Sequence, residues 1–421
     1  MELLIQNVRV LSPADGIDRT GDILLRDGKI AAIGEGLSTD GKVIATDGLC
    51  AVPGFVDMHV HLRDPGQTQK EDILTGCAAA AAGGVTSLLC MPNTVPTVDS
   101  AETVRYILDK AKGAKAKVYV AASITKGLKS EEPTDLEALR KAGAIGLSDD
   151  GRPVENTRFL SDAMKKAPQL GMTVVAHCED LFLADGGKIN EGAVSRQLGV
   201  KGIPAAAEDC GTAREIALAA AENVPIHICH VSTATSVALV RDAKRRGVKV
   251  TAETAPHYVS LTEQALLGRD ADFRMNPPLR TDKDVQAVIE GLCDGTLDCI
   301  ATDHAPHTVE EKADFEKAPN GSIGMETSFA VAYTYLVKPG LLTLAQLVEK
   351  MAVNPANILG INAGTLAVGA PADIALLDLN EQWTVDVNRL HGKSKNTPFK
   401  GMMLSGRVKK TFLDGQLVFE A

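Results

Sequence analysis

Apolar and polar positions follow three successive rhythms along the chain. Within residues 1–52, the short runs LLIQNVRVL, GDILLRDG and KIAAIG read as alternating strands separated by Asp/Gly turns. Residues 363–421 repeat this texture in ADIALLDL, QWTVDV, GMMLSG and RVKKTFLDGQLVFE. Between the two ends the rhythm changes. Eight short, mostly apolar runs recur there: FVDMHVH (55–61), VTSLLCM (85–91), KVYVAAS (117–123), AIGLSDD (144–150), MTVVAHC (172–178), PIHICHV (225–231), KVTAET (249–254) and DCIATDH (298–304). Stretches of helical period such as AETVRYILDKAKGA and DCGTAREIALAAAENV separate most of them.

Alternating strand and helix signals predict an α/β fold with a parallel sheet covered by helices. Eight units predict a (β/α)8 barrel over 53–362, with a doubly wound open sheet as the alternative. The terminal strands would each leave open edges. Pairing 1–52 with 363–421 into one small β-sandwich module closes them.

Composition narrows the function. The 421 residues carry a formal net charge of -10. Such a surface repels phosphates, and no dense basic stripe offsets it, which argues against nucleic acid. No apolar run reaches the ~18 residues of a membrane span. The opening MELLIQNVRV lacks the features of a secretory signal. Eight cysteines are scattered without a CxxC pair, so reduced thiols in a cytoplasmic protein are expected.

The barrel reading also locates the chemistry, because catalytic groups sit at the C-terminal ends of barrel strands. His59 and His61 end the first run, Asn93 follows the second, and Asp149 and Asp150 end the fourth. His177 ends the fifth and His230 the sixth. Asp303 ends the eighth, with His304 and His307 behind it. At a strand period of two, His59 and His61 point to one side, with Arg63 just above them, while Val60 and Leu62 pack outward. Four histidines and two carboxylates exceed the needs of one catalytic zinc. They suit two ions ~3.5–4 Å apart that share a hydroxide. Asp150 is placed to bridge; Asp149 competes, or serves as a turn residue in SDDG.

The motifs GFVDMHVHLRDPG, AAAAGGVTSLLCMPNT, LSDDGRPV, VVAHCED, HICHVST, TAPHY, RMNPPLR and ATDHAPH occur in that order. Together they resemble the dihydroorotase family of the amidohydrolase superfamily. The likeness extends into the tail, in GTLAVGAPADIALLDL and GMMLSGRVKKTFLDGQ. It implies a metal-dependent barrel with a β-sandwich from both chain ends. The implied reaction interconverts N-carbamoyl-L-aspartate and L-dihydroorotate in pyrimidine synthesis. It implies two Zn2+ ions per subunit, one held by His59, His61 and Asp303, the other by His177 and His230. Asp150 and a hydroxide would bridge them. Substrate would meet His61, Arg63, Asn93, Asn276, His307, Asn320 and Gly321. Many superfamily members bridge with a carboxylated lysine on the fourth strand. AIGLSDDGRPV has none; it resembles the multifunctional-type, class I bacterial branch with aspartate there, and predicts a weaker second metal site. A homodimer, and a complex with aspartate transcarbamoylase, are further implications.

Hydrolysis of a cyclic amide needs an activated water, a polarised carbonyl and an acid for the leaving nitrogen. Asp303 is the expected proton carrier. Two zinc ions, two carboxylates and one hydroxide sum to a formal charge of about +1, which suits the reacting carboxylate of a dianionic substrate. The other carboxylate needs its own partner, and Arg63 offers a planar fork. The segment from His304 to Ser322 reads as a mobile lid. The remaining polar residues have plainer readings. His227 belongs to the core, His257 and His304 lie behind the site, and His391 is exposed. Cys178 is a buried strand thiol rather than a nucleophile. Hydantoinase or allantoinase chemistry is the nearest alternative, since those relatives need no carboxylate clamp. A catalytically silent barrel supporting another enzyme of the pathway is remote, because all six ligand candidates are present.

Overall fold

A computed structural model describes residues 2–46 and 48–421; Met1 and Asp47, both in the segment 1–52, lie outside the described residues. The first five strands are β1 (Glu2–Ser12), β2 (Ile17–Arg26), β3 (Lys29–Gly34), β4 (Lys42–Ala45) and β5 (Cys50–Pro53). The next five are β6 (Phe55–Val60), β7 (Val85–Cys90), β8 (Lys117–Ala122), β9 (Gly146–Leu147) and β10 (Thr173–Ala176). A two-stranded excursion, β11 (Ile189–Asn190) and β12 (Gly202–Ile203), precedes β13 (Ile226–Ile228), β14 (Val250–Thr254) and β15 (Cys299–Ile300). The chain closes with β16 (Ile374–Thr384), β17 (Met403–Leu413) and β18 (Gln416–Glu420).

The two chain ends form one eight-stranded sheet in the order β18-β17-β16-β5-β1-β2-β3, with β4 beside β1. The join is antiparallel, from Ile374 opposite Pro53 to Leu377 opposite Cys50. Alternate residues of both ends share one core, including Ile5, Val10, Ile23, Ile374, Leu376 and Phe412. The runs QWTVDV and GMMLSG do not make separate strands. Gln382–Thr384 continue β16 past a bulge, pairing with Met403–Ser405 at the start of β17. Asp414 and Gly415, both at positive φ, then turn β17 into β18.

All eight runs of the middle segment become parallel strands, ordered β6-β7-β8-β9-β10-β13-β14-β15. They make a nearly closed barrel. Two of these barrel strands, β9 and β15, are only two residues long. Val56, Met58, Leu89, Val175 and Cys299 fill the interior above Ala356 and Leu359. Phe55, Val60, Leu88 and Val174 pack on the outside among the helices, where Phe55 stacks on Phe329 at 5.7 Å.

The first strand breaks its own alternation. Phe55 faces outward and Met58 inward, so strict pleating would send His59 outward with Phe55. The register with β7 shifts between Asp57 and Val60. A bulge there inserts an extra residue and turns His59 and His61 into the barrel. The same stretch clasps the seam between the first and last strands. Asp57 accepts hydrogen bonds from Thr302 N–H at 3.1 Å, Thr302 Oγ1 at 2.6 Å and His59 N–H at 3.2 Å. His61 N–H donates to the His304 carbonyl at 2.8 Å. Burial raises the Asp57 pKa to about 7 against these bonds. No helix among the described residues is long and apolar enough to cross a membrane.

Replacing Asp57 by Ala leaves the buried donors of Thr302 unpaired at the seam. The expected destabilisation is about 2–4 kcal/mol, read as a lowered denaturation midpoint. An unchanged midpoint would show that the seam does not depend on this clasp.

Candidate metal and substrate site

Each functional side chain reaches the mouth by a local backbone device. His177 follows Val175 inward by plain alternation on β10. At the end of β13, Cys229 already faces in, and His230 joins it because its φ of 36° reverses the chain. Asp303 (φ 49°) and Arg63 (φ 60°) are also left-handed. Such non-glycine conformations cost on the order of 1–3 kcal/mol each and gather at functional sites. Arg63 therefore departs from the strand reading. β6 ends at Val60, and a left-handed turn, not a further step of the pleat, aims the guanidinium.

The side chains converge on Asp150. Its Oδ1 lies 3.1 Å from His59 Nε2, 3.5 Å from His177 Nδ1 and 3.8 Å from His230 Nε2. Its Oδ2 lies 3.5 Å from His61 Nε2. Asp303 Oδ1 lies 3.1 Å from His61 Nε2 and 3.7 Å from His59 Nε2. Two possible ligand sets share the Asp150 carboxylate, His59–His61–Asp150 and Asp150–His177–His230, each with donor atoms within 4.8 Å of one another. Asp149 is elsewhere. It accepts from the N–H groups of Ile124 (2.6 Å) and Thr125 (3.2 Å) and from the Thr125 hydroxyl, so it anchors a neighbouring loop.

The donor set fits metal. His59 Nε2 and Asp150 Oδ1 are buried yet make no hydrogen bond. The ring nitrogens of His177 and His230 face each other at 2.9 Å. Three imidazoles are held from behind: His59 Nδ1 by Glu253 at 3.3 Å, His61 Nδ1 by Asn93 Oδ1 at 2.8 Å, and His177 Nε2 by Glu179 at 3.2 Å. Each bond fixes the tautomer and aims the other nitrogen at the cluster. The field also favours a cation. Burial opposes ionisation of Glu253, but its bonds to His227 and His59 hold its pKa down near about 2. Asp303 likewise titrates at about 2, burial being outweighed by the His61 hydrogen bond and the charges of His59 and His61.

Above the cluster lies a cavity of about 240 Å3 lined by Arg63, Asn93, Asn276, His307, Asn320 and Gly321 with the ligand residues. Arg63 Nε donates to the Pro306 carbonyl at 3.1 Å. Burial lowers its pKa only to about 10, so it stays charged. Asn93 uses Oδ1 on His61 and points Nδ2 at Asp150, 3.4 Å away, which leaves one amide proton for a ligand. Asn276 donates Nδ2 to Glu179 at 3.1 and 3.2 Å, so its Oδ1 is free to accept. His307 donates from Nε2 to the Asn320 carbonyl at 2.9 Å. Burial and the neighbouring Arg63, Lys70 and Lys312 push its pKa to about 3, keeping it neutral.

The other histidines and Cys178 take supporting places. His227 is buried between Thr251 and Glu253, and His304 Nδ1 accepts from Gly324 N–H at 3.2 Å. Burial pushes buried His257 down to about 4. His391 is exposed and pairs with Glu326 at 2.8 Å. The Cys178 thiol lies 3.6 Å from the Ala176 carbonyl, and burial raises its pKa well above the usual range. Sequence reasoning missed Asp57, Glu179, Glu253 and Asn396. Glu179 and Glu253 had a weak signal, since each is a carboxylate at or just past the end of an apolar strand run. Asn396 had none.

A barrel whose strand ends deliver four imidazoles and two carboxylates to one mouth is a metal-dependent hydrolase of the amidohydrolase class. Residues 48–236 match the family model described as dihydro-orotase-like, and residues 292–419 match that of the amidohydrolase family. Among curated proteins, the dihydroorotase of Acetivibrio thermocellus is 51% identical over 419 residues, covering 99% of this chain and 98% of its own. That of Geobacter sp. strain M21 is 49% identical over 425 residues, covering both chains fully. The chain belongs to the dihydroorotase family. Its fold is also that of the L-hydantoinase (dihydropyrimidinase) of Arthrobacter aurescens, with a TM-score of 0.89 and 27% identity over 99% of this chain and 96% of that one. The dihydropyrimidinase of Brevibacillus agri gives 0.87 and 26%, over 100% and 95%.

Because Glu253 orients His59 from behind, Glu253→Gln is expected to weaken metal affinity by about 10–100-fold. Metal titration against a competing chelator checks this; an unchanged affinity would remove Glu253 from the support of the metal.

Proposed function

We propose that the chain is a zinc-dependent dihydroorotase, which reversibly closes N-carbamoyl-L-aspartate to L-dihydroorotate in pyrimidine synthesis. The catalytic domain in this reading is 53–362, with 1–52 and 363–421 as the composite module. His59, His61 and Asp303 would hold one zinc, His177 and His230 the second, with Asp150 between them. Such ions polarise the amide carbonyl and lower the pKa of water.

The observation that carries the reading is the state of Arg63. It is 7% exposed, charged, and without a carboxylate within 4.0 Å among the described residues. Asp303, Asp150 and Glu311 attract it only from a distance, and a buried guanidinium with no carboxylate in contact is costly. A cavity lined by it, Asn93 and His307 therefore invites an anion from outside. Dihydroorotate brings a carboxylate beside its ring, whereas the rings of hydantoin and dihydropyrimidine bring none. The resemblance to hydantoinases thus describes the barrel, and Arg63 separates the substrates.

Asp303 acts as the proton carrier. Ionised at neutral pH, it starts as a base. In ring opening it accepts a proton from the attacking water and delivers it to the ring nitrogen as the amide bond breaks. In ring closure it takes the proton from the carbamoyl nitrogen as that nitrogen attacks the side-chain carboxylate, then returns it to the carboxylate oxygen whose C–O bond breaks, which leaves as water. Asn276 Oδ1 accepts from the remainder of the ring, and the backbone around Asn320 and Gly321 packs against it.

Arg63→Ala is expected to lower kcat/KM for dihydroorotate by on the order of 10²–10³-fold, the consequence of losing a buried charge pair. Bound metal should stay unchanged; wild-type turnover in this variant would refute the carboxylate clamp. Asp303→Asn should lower kcat by about 10²–10⁴-fold, measured in both directions at saturating substrate. A chelator-treated enzyme that kept full activity would overturn the metal-dependent reading.

A further inference from the structure

Part of the cavity lining comes from His307, Asn320 and Gly321. His307 and the peptide at Asn320–Gly321 lie on the segment that the sequence suggests is a lid, and two side chains outside the assigned site hold them. We infer that Lys312 and Asn396 are positioning residues, which set His307 and the Asn320–Gly321 peptide in place for the substrate's spare carboxylate and ring. The inference rests on the dihydroorotase reading above.

Lys312 is 8% exposed. Its ammonium donates to the carbonyls of Arg274 (3.3 Å), Pro319 (3.0 Å) and Gly321 (2.9 Å). An ammonium has three protons, and each finds one carbonyl. Among the described residues no carboxylate lies within ion-pair distance of it. Burial lowers its pKa to about 8, so the three-donor form persists at neutral pH. A buried charge spent wholly on loop carbonyls is an expensive way to stabilise a surface segment; it makes sense where the carbonyls must point one way.

Asn396 is 4% exposed and comes from the connection between β16 and β17, outside the barrel sequence. Its side chain is fully used. Oδ1 accepts from His307 N–H at 3.1 Å, and Nδ2 donates to the carbonyls of Ala305 and Gly321, both at 3.1 Å. Two bonds bring the connection to the mouth, Lys393 N–H to Glu71 at 3.2 Å and Ser394 Oγ to the Lys70 carbonyl at 2.7 Å.

The two braces meet on one atom, the Gly321 carbonyl. The Gly321 N–H donates to Arg274 at 2.9 Å, so both ends of the residue are tied. At φ +133° a side chain is excluded, and a Cβ would sit 2.7 Å from Ala305 Cβ and 3.0 Å from His307 Nε2. With the peptide locked, the Asn320 carbonyl stays on His307 Nε2. The wall is thus ordered before substrate arrives, which lowers the cost of binding. It faces no reacting atom, so weakening it should remove binding common to substrate and transition state, and KM should move while kcat does not.

The test compares the metal-loaded wild-type enzyme with Lys312→Met and Asn396→Asp. The aspartate keeps the acceptor for His307 N–H but sets an oxygen against the Ala305 and Gly321 carbonyls. In each variant KM for dihydroorotate should rise roughly tenfold or more, with kcat within about threefold and metal per chain unchanged. If one variant fails to fold, the other decides. A lowered melting temperature with unchanged KM would make the braces merely structural and overturn the inference. A fall in kcat with loss of metal would place them in support of the metal and overturn it equally. Wild-type enzyme that leaves dihydroorotate untouched would sink the functional reading, and this inference with it.

Discussion

Four imidazoles face one buried carboxylate, and the rest of the structure answers to that arrangement. Asp150 is 3% exposed, and burial alone would favour its neutral form. The histidines around it hold its pKa well below the usual range instead. Nitrogen lone pairs and carboxylate oxygens packed this closely demand positive charge, which metal supplies. They also demand restraint, because converging donors repel one another without it. Glu253, Asn93 and Glu179 provide that restraint from behind, and the bulge in β6 and the left-handed turns at His230 and Asp303 provide it along the main chain. The strain is affordable because the surrounding barrel over-determines each position.

A division of charge follows. The cluster end of the cavity gathers the groups that suit cations. The other end holds Arg63, buried and, among the described residues, without a carboxylate in ion-pair contact; in the proposed function it takes the group that does not react. Asn93 and Glu179 connect the two ends. Asn93 touches both His61 and Asp150 and keeps one proton for a ligand, while Glu179 grips His177 and Asn276 together. Metal geometry and substrate orientation therefore share side chains, and substitutions at either residue should disturb both.

The sheet built from both chain ends is more than a support under the barrel. The connection between its strands β16 and β17 carries Asn396 to the mouth, where it meets Lys312 on one carbonyl. The sheet thereby reaches the cavity wall without contributing a residue to the histidine and carboxylate cluster. The seam between β6 and β15 is a second such economy: Asp57 closes the barrel and fixes the backbone of His59 with the same oxygens.

Much of this was legible in the sequence. Eight apolar runs announced eight strands, and the histidines and aspartates at their ends announced the cluster. These are local features: side-chain type, spacing and the end of a run are written in neighbouring residues. What the local pattern could not supply was direction. By simple alternation His59 would face the helices with Phe55; the bulge against β7 turns it inward. Asp149 and Asp150 were indistinguishable by spacing, and only the neighbouring Thr125 loop separates their roles. Glu253 stands 194 residues from His59, and Asn396 stands 89 from His307. The sequence by itself determined which chemistry was present and at which end of the barrel. The tertiary structure alone decided which atoms meet, because bulges, left-handed turns and second partners arise where distant strands pack, not where residues adjoin.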